Sequence, residues 1–517
     1  MLLLYALARW IALASVLYAL FLLSYRILLH PLRKYPGPFV AKLTDVYGGY
    51  YALRRNLHLR THENFKKYGP VVRCGPNRLV FNSVKAFREI YQNERLVKSH
   101  VYRATQQQPK TFNIFNVTDK ATHRAKRKLI GQVVSDQSMR SFEPTMQKEI
   151  DVFINELSES SQSLKPMNMT PICRYLGLDI VGHLGFGFNL HLQTSDTYRF
   201  LSNAFNMGNY RINVIMQFPW LLKIRPDLIA QYIPNSPRPK LLNMLEKMIT
   251  QRLSKPIDAH PDLMSHAAIP LNANPKDFSG LRQGDLWPEA AFFFSAAGET
   301  TATALTAAFF YLSHYPDAYQ KLANEIRSTF TSGKEIRGGP QLSSCRYLRA
   351  CIDEALRMSP SVVGTLWREV DDDNLGEPLI IDGHVIPANT MVGVHIYSLH
   401  HNEQYFPDPF HYRPDRWLED AQTPEQEAAT KVMQNAFAAF SLGYRGCAGK
   451  PMAYLETTLT IAKSIWYFDF YKAPGDLGRV GEGIQGLPGG RARVDEFQMQ
   501  DIFAAMHDGP YLIFKRR

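Results

Sequence analysis

The first 25 residues restrict the chain more than any later segment. From Leu2 to Tyr25 the sequence runs 24 residues with Arg9 as its only charge, long enough to cross a bilayer as a helix. Hydrocarbon offers backbone amides no water partner, so a single spanning segment must satisfy them within itself. A signal peptide has a shorter apolar stretch and a small-residue cleavage site; this run is longer, and no such site follows it. Residues 1–25 are therefore expected to be a retained anchor. Arg26, Arg33 and Lys34 flank its far end, and the rule that positive charge stays inside puts the rest of the chain in the cytosol. Arg9 is the dissenting charge and snorkels to the other interface. Residues 26–38, basic and ending in Tyr35-Pro36-Gly37-Pro38, are expected to form a hinge, and residues 39–517 a single body.

That body is rich enough to fold compactly. Of 517 residues 45% are hydrophobic and 12% aromatic, which excludes a disordered chain. A net charge of +12 suits a membrane surface or an acidic protein partner. The basic residues are scattered and match no zinc-finger or RNA-binding pattern, so nucleic acid is not expected as a partner. Cys74, Cys173, Cys345, Cys351 and Cys447 are odd in number and include no Cys-x-x-Cys, which argues against a disulfide framework and for a reducing compartment. Asn116-Val117-Thr118 and Asn168-Met169-Thr170 match the glycosylation pattern, which is idle in such a compartment.

Helical patterns dominate. The clearest runs from about Trp287 to Tyr315, with Asp285 as cap, Pro288 in the first turn and Pro316 as the stop. It is apolar on all sides and should pass through the core. Residues 254–288 before it read as a long surface connection. Short strands are expected at Val71–Arg73 and Leu79–Phe81, and a hairpin at Leu379–Ile381 and His384–Ile386 around Asp382-Gly383. The expected fold class is mainly α with small β-sheets, α+β.

Chemistry concentrates in Phe440-Ser441-Leu442-Gly443-Tyr444-Arg445-Gly446-Cys447-Ala448-Gly449. Glycines bracket a cysteine just before a helix-like run, Met452 to Ile465, and loop amides with a helix N-terminus favour a thiolate. Taken alone a cysteine is more often a buried structural residue. A phosphate loop is excluded, because Tyr444 stands at its first glycine and Pro451 follows Lys450. Elsewhere, Glu354 and Arg357 share a helix face. Glu299, Thr300 and Thr301 sit inside the apolar helix, where polar groups need compensation. His123 and Arg127 lie one turn apart on a basic helix. The adjacent His400 and His401 point apart and read as structural rather than metal-binding.

With these residues the chain resembles the cytochrome P-450 family, whose signature Phe-x-x-Gly-x-Arg-x-Cys-x-Gly is met at Phe440, Gly443, Arg445, Cys447 and Gly449. The resemblance implies that fold, preceded by a single transmembrane helix. It makes Cys447 the axial ligand of haem iron, with Phe440 packed beside the sulfur and Arg445, His123, Arg127 and Arg368 at the haem propionates. Tyr444 stands where many members have proline. Pro414-Asp415-Arg416-Trp417 resembles the family's Pro-Glu-Arg-Phe segment, so Glu354, Arg357 and Arg416 are expected to form its structural charge triad. Thr300 becomes the hydroxyl beside bound dioxygen and Glu299 the acid that helps deliver protons. Ala297 replaces a usual glycine, with Gly298 one place later, which implies a shifted groove in that helix.

The segments His400 to Pro409 and Gly449 to Glu456 look most like fungal microsomal members. The implied protein is a monooxygenase in the endoplasmic reticulum membrane, single-pass and facing the cytosol. Its implied cofactor is haem b (iron protoporphyrin IX), with electrons from NADPH through NADPH-cytochrome P-450 reductase and with cytochrome b5 as a further partner. It would insert one oxygen atom into an apolar small molecule of secondary metabolism. Pocket walls are expected at 101–117, at 204–218, at Phe292, Phe293 and Ala296, at 362–365 and at 484–487. A haem-thiolate isomerase or dehydratase and a noncatalytic membrane haem protein are the alternatives, and both leave the Glu299-Thr300 pair unexplained.

Overall fold

The computed structural model describes residues 1–106, 111–224, 237–256, 262, 283–371, 378–419 and 422–517. Helix Leu2–Ser24 runs on through a π-turn, Tyr25–Leu29. The apolar segment Leu3–Leu29 is long and apolar enough to cross a membrane, and none of its most apolar window is buried in the body. The helix therefore reaches four residues into the expected hinge. It stops where Pro31 forces His30 into extended backbone, φ −62° and ψ 137°. The rest of the hinge is pinned: the Arg73 amide donates to Pro36 O at 2.7 Å, and the Arg26 guanidinium donates to Leu43 O.

Most of the body is helical, with three small sheets. The first contains β1 (Val71–Gly75), β2 (Arg78–Phe81), β3 (Leu96–Lys98), β5 (Arg368–Val370) and β8 (Met391–Val394) in the order β1-β2-β8-β5-β3. Only the β2 and β8 pair is parallel. The second joins β4 (Met167–Asn168), β10 (Tyr511–Arg516) and β9 (Phe468–Lys472). The third is the hairpin of β6 (Leu379–Ile381) and β7 (His384–Ile386), paired Leu379 to Ile386. Its Asp382-Gly383 turn has φ +50° and +76°, the two positive angles of a two-residue hairpin turn. The chain thus has the expected class.

The central helix spans Gln283–His314. It starts two residues before the expected cap at Asp285, so Pro288 falls at its sixth residue, inside the helix rather than at its first position, where it leaves the Gly284 carbonyl without its i to i−4 amide donor. Most of the expected surface connection 254–288 lies outside the described residues. Phe309, Phe310 and Tyr311 are fully buried. The helix crosses helix Met169–Phe186 closely: a Cβ on Gly177 would stand 2.7 Å from Gly298 O, and one on Gly298 would stand 2.5 Å from Leu178 Cδ2. Gly298 is therefore a packing glycine turned towards the neighbouring helix. It opens no groove towards a site, and helix is continuous through residues 296–301.

Candidate active site

The cysteine loop is held by its own backbone. Ser441 and Gly443 adopt φ of +56° and +70°, residues Gly443–Arg445 make one 3₁₀ turn, and the Cys447 amide closes the loop on Phe440 O at 2.8 Å. A Cβ on Gly443 would fall 2.1 Å from Tyr91 O, so glycine is required twice over, by angle and by space. Tyr444, where many members of the resembled family have proline, ties the loop to β3 by donating to Leu96 O at 2.9 Å. Helix Lys450–Tyr467 follows at once. Burial pushes the Cys447 thiol pKa up, while the Gly449 and Lys450 amides and the charges of Arg127 and Lys450 pull the other way. The sulfur is thus prepared for a cation to complete its ionisation. Phe440 packs its ring 5.1 Å from Tyr454.

A buried ionic cluster supports the segment leading to this loop. Glu354 is fully buried and accepts from Arg357 Nε and Nη2 at 2.9 and 2.8 Å, Arg416 Nε at 3.1 Å, Trp417 Nε1 at 3.0 Å and the Arg413 amide at 3.0 Å. Arg357 also donates to His400 O and Pro409 O, both at 2.8 Å. Opposed charge and five donors hold the Glu354 pKa down against burial. His400 carries the connection onward: Nδ1 meets Arg357 O at 2.9 Å and Nε2 accepts the Ala438 amide at 2.7 Å. His401 turns elsewhere, its Nδ1 2.8 Å from Tyr397 O.

Cys447 lies on the wall of a cavity of about 260 Å³. Phe440, His123, Arg127, Arg368, Arg445 and Thr300 also line it, so the structure brings most of the expected residues to one place. Lys98, absent from the expected set, joins them. Its Nζ rests 3.3 Å from the Phe115 ring centroid, and burial beside Arg368 and Arg445 pushes its pKa well down. Three buried cations with no ion pair among the described residues call for anionic groups. Arg445 donates to Val117 O and Thr118 O at 2.6 and 2.8 Å, leaving Nε without a partner among the described residues. The same charges and burial lower the His123 pKa to about 3. Arg127 instead directs its guanidinium to Gly446 O at 2.6 Å and Cys447 O at 3.5 Å, clasping the loop. Lys98 was hidden in the sequence because nothing in Leu96-Val97-Lys98 says which strand will lie beside it.

The acid and hydroxyl of the central helix separate. Thr300 faces the cavity, with Oγ1 donating to Ala296 O at 2.7 Å. Glu299 does not line the cavity: its Oε2 lies 3.0 Å from Arg174 Nε on helix Met169–Phe186. Consecutive helical residues point about 100° apart, and here that turn carries Glu299 to the side of the helix that meets Arg174. The expected cavity acid is therefore a buried ion pair in this conformation, with Glu299 Oε1 lacking a partner among the described residues. Burial raises its pKa, only partly offset by Arg174.

The walls also differ from expectation. Phe115 stacks on Phe292 at 4.9 Å and meets Phe503 edge-on at 5.7 Å. Ile484 and Leu487 are 62% and 43% exposed and form no wall; Phe503, near the C-terminus, takes that place. Asn213, Met216 and Gln217, from the expected 204–218 wall, line a smaller neighbouring pocket. Part of the 101–117 wall lies outside the described residues, and Ile114 and Phe115 represent the rest.

A loop thiol, an unneutralised cation cluster and an apolar cavity between them fit a flat, dianionic, iron-bearing ring, which defines a haem-thiolate class of protein. The family model described as Cytochrome P450 matches residues 31–478. The chain is 34% identical to the cytochrome P450 monooxygenase poxM of Penicillium oxalicum, over 97% of this chain and 93% of that protein. It is 34% identical to the cytochrome P450 monooxygenase apf7 of Gibberella fujikuroi, over 95% of each. To the cytochrome P450 monooxygenase atnE of Emericella nidulans it is 32% identical, over 99% and 97%. The chain belongs to the cytochrome P450 family, and the family implies a haem cofactor.

Proposed function

We propose that this protein is a membrane-anchored monooxygenase of fungal secondary metabolism, inserting one oxygen atom into an apolar small molecule. The observation that carries the reading is the shared cavity of Cys447, Thr300 and the Lys98, Arg368 and Arg445 cations. Haem b bound there supplies oxygen activation, which a thiolate ligand favours. Cys447 would be its ligand, and Arg368, Arg445, Lys98 and His123 would hold the carboxylates of its edge, while Arg127 acts through the loop carbonyls. Glu354, Arg357 and Arg416 fix the chain leading to Cys447. The aromatic wall of Phe115, Phe292 and Phe503 excludes water and selects apolar substrate.

Thr300 Oγ1, now bonded to Ala296 O, positions a proton at the reacting face, and Glu299 resupplies it by leaving Arg174 and rotating inwards. Electrons come from NADPH through NADPH-cytochrome P-450 reductase, with cytochrome b5 as a second donor. Residues 1–25 anchor the protein in the endoplasmic reticulum membrane, 26–38 link, and 39–517 form the cytosolic catalytic body. The test is co-expression with a fungal reductase under ¹⁸O₂, feeding terpenoids, polyketides, alkaloids and simple aromatics. A product heavier by one ¹⁸O, absent with Cys447→Ala, supports the reading. Product with no mass gain, or with loss of water, overturns it.

A further inference from the structure

Beside the main cavity lies a second, smaller pocket of about 40 Å³, room for a group the size of about three waters. The two share Val362 and Phe503 as walls. Phe503 is held at φ +88°, a region that a non-glycine residue occupies only when its surroundings impose it. In contrast to the aromatic cavity, this pocket is lined by buried polar side chains, among them Asn64, Asn213, His395 and Asp501.

Two of these define what it accepts. His395 Nδ1 lies 2.7 Å from Ser398 Oγ and accepts from the Ser398 amide at 3.2 Å; an amide N–H can only donate, so with Nδ1 accepting from it, and the hydroxyl free to donate as well, the neutral imidazole carries its proton on Nε2. That N–H is buried and has no hydrogen-bond partner among the described residues, a donor awaiting an acceptor. Asp501 supplies the complement. Its Oδ1 accepts from Asn213 Nδ2 at 3.1 Å, and a carboxylate has lone pairs for more than one donor. Burial pushes its pKa up to about 6, against backbone amides, Asn213 and Arg491. An ammonium carries no acceptor for His395, and an anion would meet Asp501. A neutral group that both donates and accepts satisfies both.

We propose that this pocket is a second substrate subsite, holding a neutral amide or hydroxyl between His395 and Asp501 while the apolar remainder passes Phe503 and Val362 towards Cys447. The substrate class is thus an amphiphile with an apolar reacting end and one buried donor–acceptor group, and an amide suits the pair best. This rests on the monooxygenase reading of the main cavity.

The test compares decanamide with undecane as probes, by equilibrium dialysis against the haem-loaded full chain in detergent. Decanamide is expected to bind about tenfold tighter than undecane, the worth of one well-paired buried polar group. In Asp501→Asn the ratio of the two dissociation constants should fall towards one. Gly364→Ala is a second variant that leaves the backbone undisturbed: its Cβ would stand 3.9 Å from Asp501 Oδ1 and Oδ2, ordinary contact, and would narrow the pocket. It too should lower the ratio. Equal affinities in the unsubstituted protein, or a ratio unmoved by both variants, would overturn the subsite. Oxygen insertion without an amide preference refutes only the subsite. An amide preference that both variants abolish supports it even if the ¹⁸O₂ experiment refutes the monooxygenase.

Discussion

At Thr300 the hydroxyl has two uses, closing on Ala296 O and facing the cavity. Thr300→Ala should leave the fold intact, because the back-bond it removes is a local one, while oxygen consumption runs on with product reduced about tenfold or more. Peroxide and product measured together check this. At the ionic cluster the consequence is structural. Glu354 and Arg357 are fully buried, and removing one partner leaves the other charge without compensation. Arg357→Ala is expected to destabilise by about 3–5 kcal/mol, read as a fall in the urea midpoint. Glu299 shows where residue type alone is insufficient. Its neighbours Gly298 and Thr300 were as visible as the acid, yet which way the carboxyl points depends on Arg174, 125 positions earlier in the chain.

Between elements, close approach is set by glycine. The crossing of helices Gln283–His314 and Met169–Phe186 depends on Gly177 lying against Gly298 O. Gly177→Ala should push the pair apart and destabilise by about 1–3 kcal/mol, and by shifting Thr300 should also reduce turnover; thermal unfolding and the oxidation assay check the two effects. The hairpin β6–β7 was legible because its Asp-Gly turn and alternation are local signals. Strands β3, β5 and β8 were not read, although they frame Lys98 and Arg368. None is joined to its neighbour by a tight turn that would mark it locally, and each exists because a partner distant in sequence pairs with it.

For the molecule as a whole, buried histidines set the response to acid. Burial lowers the pKa of His62, His395, His400 and His507 to about 3, and of His58 and His401 well below the usual value. The folded state stays neutral at these sites while the unfolded chain binds protons near pH 6.5, so stability falls as pH drops from about 6.5 towards 3. Each of the four held to about 3 should contribute a loss of about 1–2 kcal/mol by pH 5, seen as a falling urea midpoint, with His58 and His401 acting in the same direction. Glu456 acts at the other end. It is fully buried, neither carboxylate oxygen has a partner among the described residues, and its pKa rises to about 8. A proton held more tightly in the folded state makes stability fall as pH rises from about 4.5 to 8. Glu456→Gln should flatten that limb in the same titration.

The sequence by itself determined the long apolar N-terminal helix, the predominance of helix, the hairpin, the cysteine loop and the family, because each rests on residues adjacent in the chain: an apolar run, a turn pair, a motif. Tertiary structure alone decided that Glu299 faces Arg174, that Arg127 clasps the loop, that Lys98 joins the cation cluster and that Phe503 replaces residues 484–487 as a wall. These are contacts between segments tens to hundreds of positions apart. A side chain's direction and partner follow from how packed elements cross, and no local pattern encodes that crossing.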